Sequence, residues 1–425
     1  MTPERQINAW KGFRALGGAA IRRYAYKKHM PWARTRAGEP MALIINRRAL
    51  TKGLGLTASA LAMEPRVLLA AGKAETGVPP SVVTIPPRQW GKDAPPNVFP
   101  DPDVLAIDQS FNRLIVRYSP LLRLGTGYLW AEGPAWSGEG QYLLFSDVQG
   151  DAQYRYIWGT DLVIPFRKPS FNSNGNCFDF QGRQLSCQHY FRRVVRWELD
   201  GSMTVIADRF EGKTLNAPND IAVHPDGSTW FTDPGAGAGL SEGHPDVAGG
   251  PQNPDGLYDP RLGDIGTGLG EAVRRELPTN TYRWDPSGKL EVVVPGDRLR
   301  PNGICFSPDY KRVYIISGGI HVGEVANGKV TGLREFTACM VDGIYCHPDG
   351  MRVDRAGNVW ASSNTVLGYS GVTVWNPDGK LIGRIRLPEG CANVCFGGPK
   401  RDHLFMTASQ SLYMLKVNIQ GAAPG

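Results

Sequence analysis

A six-fold internal repeat is the feature that most narrows the folds open to this chain. Six segments share one pattern: a short acidic or amide residue, usually followed by Gly, then an alternating apolar strand, a turn and a second strand. Successive segments begin 42, 45, 83, 47 and 44 residues apart. Their first residues are Glu132, Asn174, Asn219, Asn302, Asp349 and Asn393. Such a period, with two strong and two weaker strands per unit, is typical of the four-stranded blade of a β-propeller.

The repeat therefore predicts an all-β fold, a six-bladed β-propeller over residues 111–420. The turns inside the units, such as that at residues 225–228, are typical of β-hairpins. The long third interval predicts an insertion at about residues 234–275, which are rich in Gly and Pro. A seventh blade beginning at Asp255 is the alternative, but no paired strands follow it. The stretch 114–124 is expected to supply the last strand of the sixth blade and to close the ring.

The positive charge of the chain lies in its N-terminal segment. The formal net charge is +7, but residues 1–80 carry a net +10 and the remaining 345 residues a net −3. A slightly acidic folded body disfavours nucleic-acid binding. No stretch reaches the roughly 18 uncharged apolar residues of a membrane span, so no stable membrane insertion is expected.

Residues 1–75 are predicted to be an N-terminal extension that contains a twin-arginine signal peptide. The Arg pair at residues 47–48 precedes Lys52 and a modest apolar stretch over residues 53–63, which is the pattern of that export route. The expected location is periplasmic or secreted, with the export machinery as a partner; a basic tail is the alternative. Residues 76–110, which are rich in Pro, are predicted to form a lead-in to the propeller.

The seven cysteines show no complete disulfide or zinc-binding pattern. An odd number excludes a complete disulfide framework, and the spacings match no zinc-binding template. Cys391 and Cys395 alternate with apolar residues, so we interpret them as buried strand residues.

The repeat also gathers polar side chains at one end of a central channel. The innermost strand of each blade runs along this channel, so the first residues of equivalent strands meet around its axis. Four amides and two carboxylates in one narrow space are unfavourable unless something satisfies them. Their oxygen atoms and formal charge of −2 predict a divalent metal ion: Ca²⁺ is expected, with Mg²⁺, Mn²⁺ and Zn²⁺ as alternatives. The predicted metal ligands are Glu132, Asn219, Asn302 and Asp349.

Several motifs in register resemble the family that includes senescence marker protein (regucalcin), and are closest to its gluconolactonase branch. They are EGPAW, PND, PNG, PDG and NVCFGG, which begin at residues 132, 218, 301, 348 and 393. The resemblance covers about residues 115–418. It implies a six-bladed propeller that hydrolyses sugar lactones, such as gluconolactone, at a divalent-metal site.

The resemblance also implies roles for individual residues. The metal-binding Glu, Asn and Asp of the family fall on Glu132, Asn302 and Asp349. Asn219 is similar to a residue that completes the metal site or contacts substrate. Regucalcin-like members carry an Arg two residues before that Asn, whereas this chain has Ala217, so that substrate contact is absent.

Two side chains are candidates for activating the attacking water. Asp349 is a candidate general base, because a carboxylate beside the metal can accept a proton from water. His189, which closes the second strand of the second repeat, is the other candidate, because His titrates near neutral pH. Asn174, Asn216 and Asn219 are predicted to bind the hydroxyl groups of the substrate.

Two other functions stay open from the sequence. One is an ester hydrolase resembling paraoxonase, a family that builds a related Ca²⁺ propeller. The other is a non-catalytic periplasmic propeller that binds a partner and keeps a structural metal. A pocket lined by Asn favours a sugar lactone over both. The sequence predicts no oligomeric state.

Overall fold

The repeat units fold into antiparallel sheets arranged as six blades, which confirms the predicted six-bladed β-propeller. The computed structural model describes residues 80–234 and 275–422. Within those two ranges the helical content is one short 3₁₀ helix, Gln109–Arg113. The predicted signal peptide within residues 1–75 and nearly all of the predicted insertion lie outside the described residues, so export stays a prediction.

Two strands precede the first repeat unit, Val104–Ala106 (β1) and Leu122–Thr126 (β2). The first blade consists of Ala131–Ser137 (β3), Tyr142–Asp147 (β4), Ala152–Ile157 (β5) and Leu162–Arg167 (β6). The second blade consists of Ser173–Phe178 (β7), Gln184–Gln188 (β8), Arg193–Trp197 (β9) and Met203–Ala207 (β10). A ribbon, Arg209–Phe210 (β11) and Lys213–Thr214 (β12), leads to the third blade. That blade consists of Ile221–Val223 (β13), Thr229–Thr232 (β14), Thr281–Trp284 (β15) and Leu290–Val294 (β16).

The second half of the propeller follows the same plan. The fourth blade consists of Ile304–Phe306 (β17), Arg312–Ser317 (β18), Gly319–Ala326 (β19) and Lys329–Thr337 (β20). A second ribbon consists of Met340–Val341 (β21) and Ile344–Tyr345 (β22). The fifth blade consists of Met351–Val353 (β23), Val359–Ser363 (β24), Gly371–Trp375 (β25) and Leu381–Arg386 (β26). The sixth blade contains Cys391–Gly397 (β27), His403–Ala408 (β28) and Ser411–Lys416 (β29).

Strands from the N-terminal side complete the last two blades. Strand β2 pairs with β29 as the fourth strand of blade 6, and β1 pairs with β26 as a fifth strand of blade 5. The closing strand begins at Leu122, eight residues later than the sequence pattern suggests. Within the predicted stretch, Ile115 forms a single bridge to Val417 of the same blade, and Pro120, which has no N–H to donate, lies between this bridge and the continuous strand. The ring is thus closed by residues from both ends of the described chain.

The inner strands β3, β7, β13, β17, β23 and β27 surround the channel, and each contacts the inner strand of both neighbouring blades. Glycines permit this close approach. The Gly175 N–H donates to the Asn219 carbonyl, and the Gly303 N–H to the Asp349 carbonyl, both at 2.8 Å. A Cβ atom at either glycine would collide with the backbone that it faces. Backbone hydrogen bonds therefore join adjacent blades directly at these positions.

The hydrophobic core lies between adjacent blades. Trp136 of blade 1 stacks on Phe405 of blade 6, with ring centroids 6.0 Å apart. Trp230 of blade 3 meets Phe306 of blade 4 edge to face at 5.3 Å. Aromatic pairs of this kind add stability beyond the area that they bury. All seven cysteines are also buried and none forms a disulfide, which confirms the interpretation of Cys391 and Cys395 as buried strand residues.

The lead-in is held to the propeller by buried ion pairs. Arg88 contacts Asp101 at 2.6 Å, and Arg386 of blade 5 contacts Asp103 at 3.1 Å. The same carboxylates accept hydrogen bonds from the N–H groups of Val82 and Leu121. Among the described residues, no helix has the length and apolar character of a membrane span.

The inner-strand glycines give a direct test of the fold. Gly303→Ala should destabilise the protein by about 2 kcal/mol or more, because the new methyl group must push two inner strands apart. Gly138→Ala is the matched control, since a Cβ at exposed Gly138 meets no atom within 4 Å. Urea unfolding curves of the two variants and the wild type measure the difference. Equal stabilities of the Gly303 and Gly138 variants would contradict this account of blade contact.

Candidate functional site

Six polar residues lie at the same end of the six inner strands. We call them the polar ring: Glu132, Asn174, Asn219, Asn302, Asp349 and Asn393. Three lie within strands β3, β7 and β27, and the others lie two residues before β13, β17 and β23. Asn393 of the last blade donates to Glu132 of the first, with 3.2 Å between Nδ2 and Oε2. The structure thus brings together residues that are up to 261 positions apart in sequence.

The two carboxylates of the polar ring share a buried space. The side chain of Glu132 is 1 % exposed and that of Asp349 is 8 % exposed. Burial raises the pKa of Glu132 well above its usual value, and the negative charges of Asp349 and Asp220 raise it further. The Gly133 N–H and the Asn393 amide act in the opposite direction, because they donate to the carboxylate. A bound cation would offset the repulsion between the carboxylates.

Two amides of the polar ring have buried atoms without a hydrogen-bond partner. They are Oδ1 of Asn302 and Nδ2 of Asn219. A buried polar atom left unpaired costs roughly 1–3 kcal/mol. Rotation of the Asn219 amide exchanges its oxygen and nitrogen, so that residue can also present an oxygen. Two carboxylates and two amide oxygens are ligands that a hard cation such as Ca²⁺ prefers.

The composition of this ligand set differs from that of the commonest metal sites. In the part of the chain that the structure describes, no group of three or more His, Cys, Asp or Glu side chains is arranged to hold a metal. The predicted set has only two carboxylates, and amides would complete it. The side-chain oxygens of these residues are suitable ligands for a hard cation. The sequence repeat is the pattern that identifies these residues.

His189 lies beside the polar ring and links blades 2 and 3. Its Nε2 atom is 3.5 Å from Nδ2 of Asn174, and its ring hydrogen-bonds to the Pro218 carbonyl next to Asn219. The side chain is 3 % exposed. Burial lowers the pKa of His189 to about 4, although the Pro218 hydrogen bond acts to raise it. The imidazole is therefore neutral at pH 7.

The remaining predicted asparagine, Asn216, stands just before the polar ring. Its Nδ2 atom donates to the Pro278 carbonyl at 3.0 Å, and its backbone N–H donates to the Asp233 carboxylate at 2.8 Å. Its buried Oδ1 atom has no partner. Asn216 thus anchors the chain on both sides of the blade 3 insertion and presents one free acceptor.

The described residues on either side of the blade 3 insertion lie next to Asn216. The insertion connects β14 to β15, and Asp233 at the end of β14 bonds the backbone that leads into Asn219. Burial raises the pKa of this Asp233 carboxyl to about 7, while its hydrogen bonds from Asn216 and Ala217 act to lower it. Residues 235–274 lie outside the described residues, so the insertion stays a prediction.

Sequence reasoning missed a buried ion pair beneath the polar ring. Asp220 is 2 % exposed and lies 3.5 Å from Nη1 of Arg352, which is itself buried. The Asp220 carboxylate also accepts the backbone N–H of Ile304, so it joins blades 3, 4 and 5. A signal was present, because Asp replaces the repeat's Gly at position 220 and Arg interrupts an apolar inner strand at position 352.

Comparisons with known proteins show which family this chain resembles. Residues 130–410 match the family model described as SMP-30/Gluconolactonase/LRE-like region. A gluconolactonase from Zymomonas mobilis subsp. mobilis is 28% identical over 330 residues, which cover 71% of this chain and 83% of that protein. A pentonolactonase from Haloferax volcanii is 30% identical over 147 residues, covering 31% of this chain and 47% of that protein.

Solved structures show the same fold. A gluconolactonase from Xanthomonas campestris has a TM-score of 0.61 and 31% identity, covering 77% of this chain and 99% of that one. A calcium-binding protein, regucalcin, from Agrobacterium tumefaciens has a TM-score of 0.54 and 18% identity. That comparison covers 71% of this chain and 95% of the regucalcin, and at this identity it supports the fold alone.

The buried His189 predicts a pH-dependent loss of stability. Its folded pKa of about 4 lies below the usual 6.5, so the unfolded chain binds a proton first as the pH falls. The wild type should therefore lose on the order of 3 kcal/mol between pH 6.5 and pH 4 through this residue. His189→Gln cannot titrate and should lose less. Urea unfolding at several pH values measures the free energy of unfolding of both proteins as a function of pH. Equal losses in the two proteins between pH 6.5 and pH 4 would contradict the prediction.

Proposed function

The chain belongs to the SMP-30/gluconolactonase/LRE-like family, and from this premise we propose that it is a lactonase for a gluconolactone-like sugar lactone. Its product is the corresponding aldonic acid. The observation that carries the proposal is the polar ring, which combines two buried carboxylates with buried amide atoms that have no protein partner. Relatives named gluconolactonase and pentonolactonase support the substrate class.

Four residues of the polar ring would hold a divalent metal ion, for which Ca²⁺ is our first proposal. They are Glu132, Asn219, Asn302 and Asp349. When bound, such an ion supplies Lewis acidity toward the lactone carbonyl. The negative charges of Glu132 and Asp349 and the unpaired atoms of Asn219 and Asn302 support this assignment.

The proposed reaction is the addition of water to the lactone carbonyl. Asp349 accepts a proton from water as the hydroxyl adds to the carbonyl carbon. The tetrahedral species then collapses, the ring carbon–oxygen bond breaks, and the leaving oxygen takes up the proton. The product is an open-chain aldonic acid, which ionises at neutral pH. No atom is needed beyond the lactone and one water molecule.

His189 is the second candidate base, and its contacts support a positioning role instead. The imidazole hydrogen-bonds to the Pro218 carbonyl, and its Nε2 atom faces the Asn174 amide. A general base needs a free nitrogen directed at water, whereas both contacts of the His189 imidazole are with other protein groups. We propose that His189 orients Asn174, and that Asn174, Asn216 and Asn219 bind the hydroxyl groups of the sugar.

Removal of either carboxylate tests the mechanism. Asp349→Asn and Glu132→Gln should each lower kcat/KM for gluconolactone by about 100-fold or more. Asp378→Asn, at an exposed position in the turn between β25 and β26, is the control and should keep wild-type activity. Circular dichroism must show that all three variants are folded. Wild-type turnover by folded Asp349→Asn and Glu132→Gln would refute the proposed site.

Metal removal tests the ligand assignment separately from turnover. Treatment of the full chain with a chelator should abolish lactone hydrolysis and lower Tm, because an ion that binds only the folded state stabilises it. Added Ca²⁺ should restore both properties in the wild type. Glu132→Gln should show little Ca²⁺-dependent rise in Tm. A chelated wild type with unchanged activity and Tm would show that no metal is required.

A further inference from the structure

The backbone that leads into the third position of the polar ring is buried but belongs to no strand. We call residues 215–219, which lie between β12 and β13, the entry segment. It contains Asn216 and Asn219, two of the residues proposed to bind the sugar, and its first three residues are fully buried. Buried backbone groups outside a sheet need hydrogen-bond partners from elsewhere in the protein. The partners of the entry segment therefore decide where its two asparagines lie.

The turn between β8 and β9 of blade 2 holds carbonyl groups of the entry segment. The Nε atom of Arg192 donates to the Leu215 carbonyl at 2.6 Å and to the Asn216 carbonyl at 2.9 Å. The ring of His189, in the same turn, hydrogen-bonds to the Pro218 carbonyl. Blade 2 thus fixes the carbonyl side of a segment that belongs to blade 3.

Asp233 holds N–H groups of the entry segment. It directly follows β14, and its side chain is buried. Its two carboxylate oxygens accept the N–H groups of Asn216 at 2.8 Å and of Ala217 at 2.6 Å. The Asn219 N–H donates to the Thr232 carbonyl, also at 2.8 Å. Blade 3 thus fixes the N–H side of its own entry segment.

Arg192 and Asp233 also interact through their opposite charges. Burial raises the pKa of Asp233, whereas the two backbone N–H groups and then the charge of Arg192 act to lower it. An ionised carboxylate accepts at both oxygens, but a protonated one carries an O–H that must donate. The charge of Arg192 therefore favours the form of Asp233 that can hold both N–H groups.

We propose that Arg192 and Asp233 form a clamp that positions the entry segment for substrate binding. This inference rests on the proposed lactonase function and adds two positioning residues to it. The clamp belongs to blades 2 and 3, whereas the carboxylates Glu132 and Asp349 belong to blades 1 and 5. Asparagines that bind sugar hydroxyls hold the substrate and the transition state about equally, so their displacement raises KM and leaves kcat nearly unchanged.

Steady-state kinetics at saturating Ca²⁺ test the clamp. Arg192→Met should raise KM for gluconolactone about 5- to 10-fold and change kcat by about 2-fold at most. Asp233→Asn should act in the same direction, because its NH₂ group replaces one of the two acceptor oxygens. Arg192→Lys keeps a positively charged donor and should bring KM back to within about 3-fold of the wild-type value.

Arg193→Met is the matched control for these variants. Arg193 is the next residue in the chain, but its Nε atom donates to Gln188 and not to the entry segment, so this variant should keep the wild-type KM. A residue that only stabilised the fold would lower the fraction of active enzyme, which reduces the apparent kcat and leaves KM unchanged. A wild-type KM in folded, active Arg192→Met would therefore overturn the clamp and leave the lactonase proposal standing.

Amide hydrogen exchange provides a readout that needs no turnover. The amide hydrogens of Asn216 and Ala217 should exchange about 5-fold faster or more in Arg192→Met than in the wild type, because the entry segment opens more readily. Arg193→Met should match the wild type. A wild type that hydrolyses no lactone would refute the lactonase proposal, and exchange would then decide the clamp alone: faster exchange in Arg192→Met supports it, and unchanged exchange overturns it.

Discussion

The close approach of adjacent inner strands is the constraint on which the rest of this structure depends. At Gly175 and Gly303 the inner strand hydrogen-bonds directly to the backbone of the next blade. A side chain at either position would force the blades apart. Because the strands are held this closely, the residue that precedes each glycine meets its counterparts from other blades around one axis.

That geometry gives the site its chemistry and its energetic cost. Glu132 and Asp349 come from blades 1 and 5, and both are almost fully buried. Burial, and then the negative charge of Asp349, raise the pKa of Glu132, and the Gly133 N–H and the Asn393 amide supply only part of the compensation. A protein keeps such an arrangement when a ligand supplies the rest. The proposed metal site follows from this imbalance of charge and hydrogen bonding, and the proposed lactonase chemistry follows from the open coordination that four protein ligands leave.

The two ends of the channel differ in the sign of their charge. Carboxylates and amides occupy one end, Asp220 and Arg352 form an ion pair in between, and Arg352 and Arg401 line a small cavity at the other end. The insertion in blade 3 arises on the carboxylate face, whereas the C-terminal segment lines the opposite face.

Much of the fold was predictable because propeller blades repeat a local pattern. Strand pairs, hairpin turns and the six ring positions recur at a nearly constant interval, and each repeat carries its own signal. The closing strand was placed less accurately, because the pairing of Leu122–Thr126 with β29 joins residues nearly 300 positions apart and has no local signature. The lead-in strand β1, which extends blade 5, was missed for the same reason.

For the candidate site, the sequence alone determined which residues stand at equivalent positions of the repeat, and therefore that Glu132, Asn219, Asn302 and Asp349 would meet. Tertiary structure decided what each side chain faces. It paired Asp220 with Arg352 and turned His189 toward Asn174 and Pro218. Periodicity specifies the position of a residue along its own strand, but contacts between blades depend on side-chain packing across the channel, which no interval in the sequence encodes.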